Sequence, residues 1–170
     1  MDAPLLVVRV LHVALGVFWG GVVVFNAAFL GPSMAEAGPE GAKVAGGLMR
    51  RRFLDVLPTT AILTILSGVY LLWRVSAGFA PGYMGSRAGI AYSVGMLASV
   101  VALGVGLGML RPAMLRAAAL SQSAGQAAPE ARPAMLAEAQ ALRGRAGRAG
   151  RVVAWLIGVA VVTMAVARYL

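Results

Sequence analysis

The chain has 170 residues, of which 60% are hydrophobic and only 12% are charged. A soluble domain carries about 25% charged residues, and this chain has too few polar side chains to cover a surface exposed to water. It contains no cysteine, which excludes disulfides, thiolate metal sites and a cysteine nucleophile. The composition therefore predicts an integral membrane protein.

Four apolar segments are long enough, or nearly so, to cross a hydrocarbon core of about 30 Å as helices. We predict membrane spans over residues 5–30, 53–73, 88–110 and 151–169. The first span is expected to end at Gly31-Pro32, a pair that commonly stops a helix. The third span contains Gly104, Gly106 and Gly108, which predict a close helix crossing.

The connection over residues 31–52 ends in three consecutive arginines, Arg50, Arg51 and Arg52. Anionic lipid headgroups attract arginines that lie beside a membrane span, so we expect these three to bind headgroups. Asp55 follows Arg52 by three residues, a spacing that allows a local ion pair on a helix.

The connection over residues 111–150 is rich in Ala, Glu, Gln, Leu and Arg, which favour helix. A stretch of Ser, Gln, Gly and Pro interrupts it at 121–129, so we predict a helical hairpin that projects from the membrane between spans three and four. The predicted fold is a single all-α domain, an integral membrane four-helix up-and-down bundle with this helical cytoplasmic extension.

The basic residues are distributed unevenly between the two sides of the predicted membrane. Eleven of the fifteen Lys and Arg residues lie in or beside the connections 31–52 and 111–150. The positive-inside rule places both connections in the cytoplasm and both termini outside, which suits a bacterial inner membrane. Anionic lipid headgroups are therefore the expected partner of the basic residues that give the chain its net charge of +9. The sequence contains no basic motif interleaved with aromatic residues, which would indicate binding to nucleic acid.

Two polar residues, His12 and Asn26, interrupt the first span, with Trp19 midway between them. The heptad spacing places all three on one helical stripe. Gly16 and Gly20 lie close to the same face and predict the close approach of another helix. Polar side chains within a span usually face the bundle interior or a cavity.

His12 is the only histidine of the chain and the residue most worth testing. Two hypotheses remain open. In one, His12 binds a metal or a haem, because imidazole is the commonest metal ligand and haem is held by His alone or by His with Met. In the other, it is a polar contact between helices. The residues predicted at its depth that could complete a cofactor site are Tyr70, Tyr92, Met96 and Met164. Haem b ranks ahead of copper, since the methionines are scattered along the chain.

The stripe of span one carries a resemblance to known membrane proteins. The residues that carry the resemblance are Leu11-His12, Phe18-Trp19-Gly20-Gly21 and Phe29-Leu30-Gly31-Pro32. This resembles the first helix of small four-helix bacterial membrane proteins of the copper-resistance D-like type and of HemJ-type protoporphyrinogen oxidases. The resemblance implies that His12 corresponds to the histidine implicated in haem binding. The chain departs from that pattern at Arg87, where a lysine is expected, and lacks the second histidine.

No sequence motif of a hydrolase, a phosphotransferase or a nucleotide-binding enzyme is present. The leading interpretation is an accessory or small-molecule-handling membrane protein centred on His12. The alternatives are a haem-dependent membrane oxidoreductase and a purely structural subunit that packs through its glycine faces, either as a homodimer or against another membrane protein.

Overall fold

The computed structural model describes residues 3–170, and all regular structure in that range is helical. Two short helices are α2 (Pro39–Arg50) and α4 (Pro81–Met84). The four long helices, each long and apolar enough to cross a bilayer, are α1 (Ala3–Glu36), α3 (Phe53–Val75), α5 (Arg87–Ala124) and α6 (Arg132–Ala167). The predicted all-α class with four membrane-length helices is confirmed.

The long helices form two antiparallel pairs, α1 with α3 and α5 with α6. In the first pair His12 faces Gly68 and Gly16 faces Thr64, so α1 and α3 run in opposite directions. Ala3, Leu170 and α4 lie at one end of the bundle, which we call the terminal end. The opposite end, with α2 and most of the arginines, is the basic end.

A small apolar core joins the two pairs. Trp19 is only 5% exposed, and all four long helices contribute to the cluster around it. The buried members of this core are Trp19, Val23, Ala61, Ala102, Val153 and Ile157. Gly20 lets α6 approach α1 here, because a Cβ at this position would lie 3.2 Å from Ile157 Cγ2. The helices are therefore held together mainly on the basic-end side of His12.

The outer surface of the bundle is covered with large apolar side chains. Trp155 is 79% exposed, Val17 is 70% exposed and Phe29 is 64% exposed. A soluble monomer rarely shows more than a few hundred Å² of contiguous apolar surface. The exterior of these helices is therefore built for an apolar surrounding.

The prediction that helix one ends at Gly31-Pro32 is wrong. The helix continues to Glu36 through a π-helical turn over Asn26–Leu30, in which the amide of Gly31 donates to Asn26 O. A second π turn, Gly106–Leu110, precedes Pro112 in α5 in the same way. In a π turn each amide donates to the carbonyl five residues earlier instead of four. This wider turn just before the proline accommodates the proline ring, so the helix continues.

The expected close crossing at Gly104, Gly106 and Gly108 is also not found, since a Cβ at any of them would meet nothing within 4 Å. Among the glycines of α5, Gly95 is the one that packs tightly against α6, since a Cβ there would lie 2.7 Å from Thr163 Oγ1 and 2.9 Å from Met164 Cγ. The glycine that allows the close approach of α5 and α6 is therefore Gly95, about three turns nearer the terminal end than Gly106.

At the basic end, α5 and α6 continue past the other helices as an antiparallel hairpin with its turn over residues 125–131. The seam between them is made of alanines, which let the two backbones approach closely. Arg143 Nη2 donates to Ser121 Oγ across the seam at 2.7 Å. The buried alanines of this seam are Ala117, Ala124, Ala139, Ala146 and Ala149.

Candidate functional site

A cavity of about 810 Å³ lies between the two helix pairs in the terminal half of the bundle. All four long helices line it, and most of the lining side chains are apolar. Trp19 and Ile157 of the core lie among its walls, which places it directly beside the packed centre. Four of the five residues predicted for a cofactor site line this one cavity, namely His12, Tyr92, Met96 and Met164.

The imidazole of His12 is anchored to α3 through one nitrogen. Nδ1 lies 2.9 Å from Thr64 O and 3.1 Å from Ser67 Oγ. A carbonyl oxygen only accepts, so Nδ1 carries the proton and donates to Thr64 O. The Ser67 hydroxyl donates to backbone carbonyls of its own helix, at 2.8 Å for Leu63 O, and its oxygen can accept from the imidazole.

The same hydrogen bond decides what the other nitrogen can do. With the proton on Nδ1, Nε2 of the neutral imidazole keeps its lone pair. Nε2 makes no hydrogen bond within residues 3–170, and His12 lines the cavity. Anchoring one ring nitrogen on a carbonyl is the usual arrangement of a metal-binding histidine, whose free nitrogen is the ligand.

Gly68 makes this geometry possible. A Cβ at position 68 would lie 2.8 Å from His12 Cε1 and 3.4 Å from Nδ1. Only a glycine leaves room for the ring this close to the α3 backbone. Neither Gly68 nor Thr64 was singled out by the sequence, because the pairing of α1 with α3 in this register is not visible in either helix alone.

Most hydroxyl groups of the cavity wall are already satisfied by their own helices. Thr64 Oγ1 donates to Thr60 O at 2.8 Å, and Ser99 Oγ donates to Gly95 O at 2.9 Å. The Tyr92 hydroxyl, by contrast, has no hydrogen-bond partner within residues 3–170. The chemically available groups of the cavity wall therefore include His12 Nε2, the Tyr92 phenol and the thioethers of Met96 and Met164.

The cavity opens toward the terminal end and toward one side. Arg9 of α1 and Arg74 of α3 line it near its mouth. Along the gap between α1 and α6 the walls include Val13, Val17 and Val161, which are 55%, 70% and 59% exposed. The cavity wall thus includes exposed side chains both at the terminal end and along one side of the bundle.

Burial raises the pKa of the nearby Tyr83 phenol in α4, and the Tyr92 phenol raises it further. Tyr83 therefore remains neutral at physiological pH.

Two predicted site residues lie elsewhere. Tyr70 does not line the cavity; it is 37% exposed and its ring lies 6.1 Å from that of Trp73. Asn26 donates from Nδ2 to Val22 O of its own helix at 2.8 Å, at the start of the π turn, and not to α3. Of the rest of the stripe, Gly16 and Trp19 line the cavity and Gly20 packs on α6.

The basic end shows a different pairing from the expected one. Asp55 does not pair with Arg52, which adopts a left-handed conformation before α3 (φ 55°). Instead Asp55 Oδ1 accepts from Arg111 Nη2 of α5 at 2.8 Å. Arg50, Arg51 and Arg52 are exposed and form no ion pair with residues 3–170.

Comparison with protein-family models, with curated proteins and with solved structures finds no match to this chain. Within residues 3–170 no group of three or more His, Cys, Asp or Glu side chains is placed to hold a metal ion. The function must therefore be argued from the cavity itself.

Proposed function

We propose that the chain is a multi-pass membrane protein whose cavity holds an apolar cofactor through His12 Nε2, with haem b as the leading candidate. The observation that carries the proposal is the hydrogen bond from His12 Nδ1 to Thr64 O, which leaves Nε2 as an open ligand beside a cavity of about 810 Å³. Ligand cavities in proteins are commonly about 300–1,000 Å³.

The membrane setting is supported by the four apolar helices and by the apolar exterior, on which Trp155 is 79% exposed. We propose that the basic end faces the cytoplasm of a bacterial inner membrane and that the terminal end faces outward, because cytoplasmic connections are enriched in Lys and Arg. Arg50, Arg51 and Arg52 are exposed there and would bind anionic headgroups.

The donor set suits a haem better than a bare metal ion. A bare ion needs several protein ligands, and the described residues offer no such cluster. A haem iron needs one or two axial ligands, and His alone or His with Met is a common set. His12 provides the imidazole, and Met96 or Met164 is the candidate for a second ligand, since both line the cavity. The likeness of α1 to the HemJ-type helix is a further support.

The role that we propose is holding or transferring the cofactor, in keeping with an accessory function. A bound haem would supply one-electron redox chemistry. The protein residues fix the imidazole tautomer through Thr64, exclude water with apolar walls and admit ligands from the bilayer. A haem-dependent oxidoreductase would also need a group that moves protons, and Tyr92 is the candidate for it in the cavity wall besides His12.

Absorption spectroscopy of the detergent-purified protein tests the proposal. We expect a Soret band in the wild type and its loss in His12→Ala at unchanged yield. Asn26→Leu is the matched control, since it removes a polar side chain of α1 that bonds its own helix and does not line the cavity; its Soret band should persist.

A colourless wild type after expression with added haem would refute haem binding, and a Soret band that survives in His12→Ala would refute the role of His12. Metal analysis of the same samples tests copper, which would have to be lost in His12→Ala and in Met164→Leu.

A further inference from the structure

We infer that the ligand of this cavity is an amphiphile with a carboxylate or similar anionic group on an apolar body, and that Arg9 and Arg74 bind the anionic group at the mouth. The inference deepens the proposed function, because it names the chemical class of the molecule that occupies the same cavity. It depends on residues that do not contact His12 Nε2, so it can be tested separately.

The two arginines stand on facing helices at the level where the cavity opens. Arg9 lies one turn nearer the terminal end than His12 and on the same face of α1, because residues three apart share a face. Arg74 is the penultimate residue of α3, about 9 Å along the helix axis from Gly68, which contacts His12. Both line the cavity, so an anionic group at the mouth would lie beside an arginine of each helix. Arg74 already has another interaction, but a guanidinium carries five N–H donors and can bind more than one group.

Charge at this end favours an anionic ligand. In the sequence, four arginines lie in or beside the segments at this end, Arg9, Arg74, Arg87 and Arg168, against one acidic residue, Asp2; the other five acidic residues lie toward the basic end, namely Glu36, Glu40, Asp55, Glu130 and Glu138. Arg9 forms no hydrogen bond and no ion pair within residues 3–170. An arginine beside a low-dielectric cavity attracts an anion more strongly than one in open water, and its planar donors match a carboxylate.

Below the mouth the cavity is suited to an apolar body. From Arg9 to Trp19 the α1 wall spans about 15 Å, with Val13, Gly16 and Val17 between them. The side opening between α1 and α6 would let a longer chain extend into the surrounding hydrocarbon. The anionic head would then stay at the membrane interface, at the depth where arginine side chains reach toward water.

The competing role for these arginines is to bind the phosphates of ordinary bilayer lipids, which requires no ligand in the cavity. The two roles differ in one measurable property. A cavity that binds an amphiphilic acid discriminates between the acid and its neutral ester, whereas arginines occupied by lipid phosphates do not confer such a preference on the cavity.

The test uses the full chain in nanodiscs of neutral phosphatidylcholine, with cis-parinaric acid and its methyl ester as fluorescent probes. Empty nanodiscs provide the background, and the buffer keeps the carboxyl group ionised. We expect wild type to bind the acid roughly tenfold more tightly than the ester, the scale of a hydrogen bond to a charged group. In Arg9→Gln the preference should fall to about threefold or less, since one of two donors is lost.

Arg87→Gln is the matched control, because it removes an exposed arginine at the same end that does not line the cavity. It should keep the full preference. The probe contains no metal, so a failure of haem binding and a failure of this inference appear in separate experiments. Equal binding of acid and ester by wild type, binding of neither, or an unchanged preference in Arg9→Gln would overturn it.

Discussion

The position of His12 depends on two neighbours from α3 with different roles. Thr64 O fixes the proton on Nδ1, and Gly68 leaves space for the ring. Both also line the cavity, but their effect on His12 is to orient its ring. Groups that orient a metal-binding histidine in this way often change metal affinity by about 10- to 100-fold when they are altered.

Gly68→Ala should therefore weaken ligand binding without unfolding the protein. The new Cβ would lie 2.8 Å from His12 Cε1, so the ring must move and its hydrogen bond to Thr64 O lengthens. We expect haem affinity, measured by titration of the Soret band, to fall roughly tenfold or more.

Gly21→Ala is the control, since its Cβ would meet nothing within 4 Å. Both variants gain the helix propensity of alanine, about 0.5–1 kcal/mol, and both should keep their helical circular dichroism. Equal haem affinity in the two variants would contradict the role given to Gly68.

Depth relative to His12 predicted three of the cavity residues, Tyr92, Met96 and Met164, but depth could not exclude Tyr70. At 3.6 residues per turn, Tyr70 points about 200° away from Gly68 and so lies on the opposite face of α3. That exclusion requires knowing which face of α3 meets His12. Arg9 was missed for a related reason: a charge near a span end is normally assigned to the interface, and nothing in α1 itself shows that it borders a cavity.

At the level of the helices, Arg111 compensates for a proline in its neighbour. Pro58 lies inside α3 and has no N–H to offer Leu54 O, four residues earlier. Arg111 Nε of α5 donates to Leu54 O at 3.3 Å, while its Nη2 donates to Asp55. The arginine thereby links α3 to α5 at the basic end, where the two helix pairs must be held together.

We expect Arg111→Gln to lower the free energy of unfolding more in the wild-type protein than in the Pro58→Ala variant. The ion pair with Asp55 is largely exposed and contributes little by itself, about 0–1 kcal/mol. The unsatisfied carbonyl costs about 1–3 kcal/mol where it is shielded from water. Alanine at position 58 restores the N–H, so the second effect should disappear.

Thermal unfolding of the two single variants and the double variant in one detergent measures this coupling. Additive effects of Arg111→Gln and Pro58→Ala would show that Arg111 does not serve the carbonyl freed by the proline.

The two π turns could not be predicted from the hydrophobic pattern of the helices. Pro32 and Pro112 each follow a five-residue π turn by two positions. A proline within an apolar segment indicates an end, a kink or a wider turn, and the segment alone does not decide among them. The hairpin over 111–150 was easier to predict, because its alanine-rich helices and polar turn are local features.

For the whole molecule, hydrophobicity and length were enough to predict four long helices, since a span needs only about 20 apolar residues. They could not predict the cavity. Its existence depends on how the α1–α3 pair meets the α5–α6 pair around Trp19, and on the small residues Gly68 and Gly95 that set each pair's spacing. Contacts between helices that are distant in the sequence produce no repeating pattern of residues within either helix.

Everything proposed for the cavity depends on a bilayer around these helices, with the terminal end outside. The chain has no cysteine, so a single introduced cysteine reports its own position. Gly82→Cys in α4 and Ser123→Cys in the hairpin suit the purpose. Both positions are exposed, and a Cβ at Gly82 would meet nothing within 4 Å.

The most direct measurement is labelling of these two variants in intact cells with a membrane-impermeant maleimide, followed by labelling after lysis. We predict that Gly82→Cys reacts in intact cells and that Ser123→Cys reacts only after lysis. The reverse pattern would contradict the orientation, and equal labelling of both variants, in protein that leaves the membrane fraction without detergent, would contradict the membrane-spanning bundle itself.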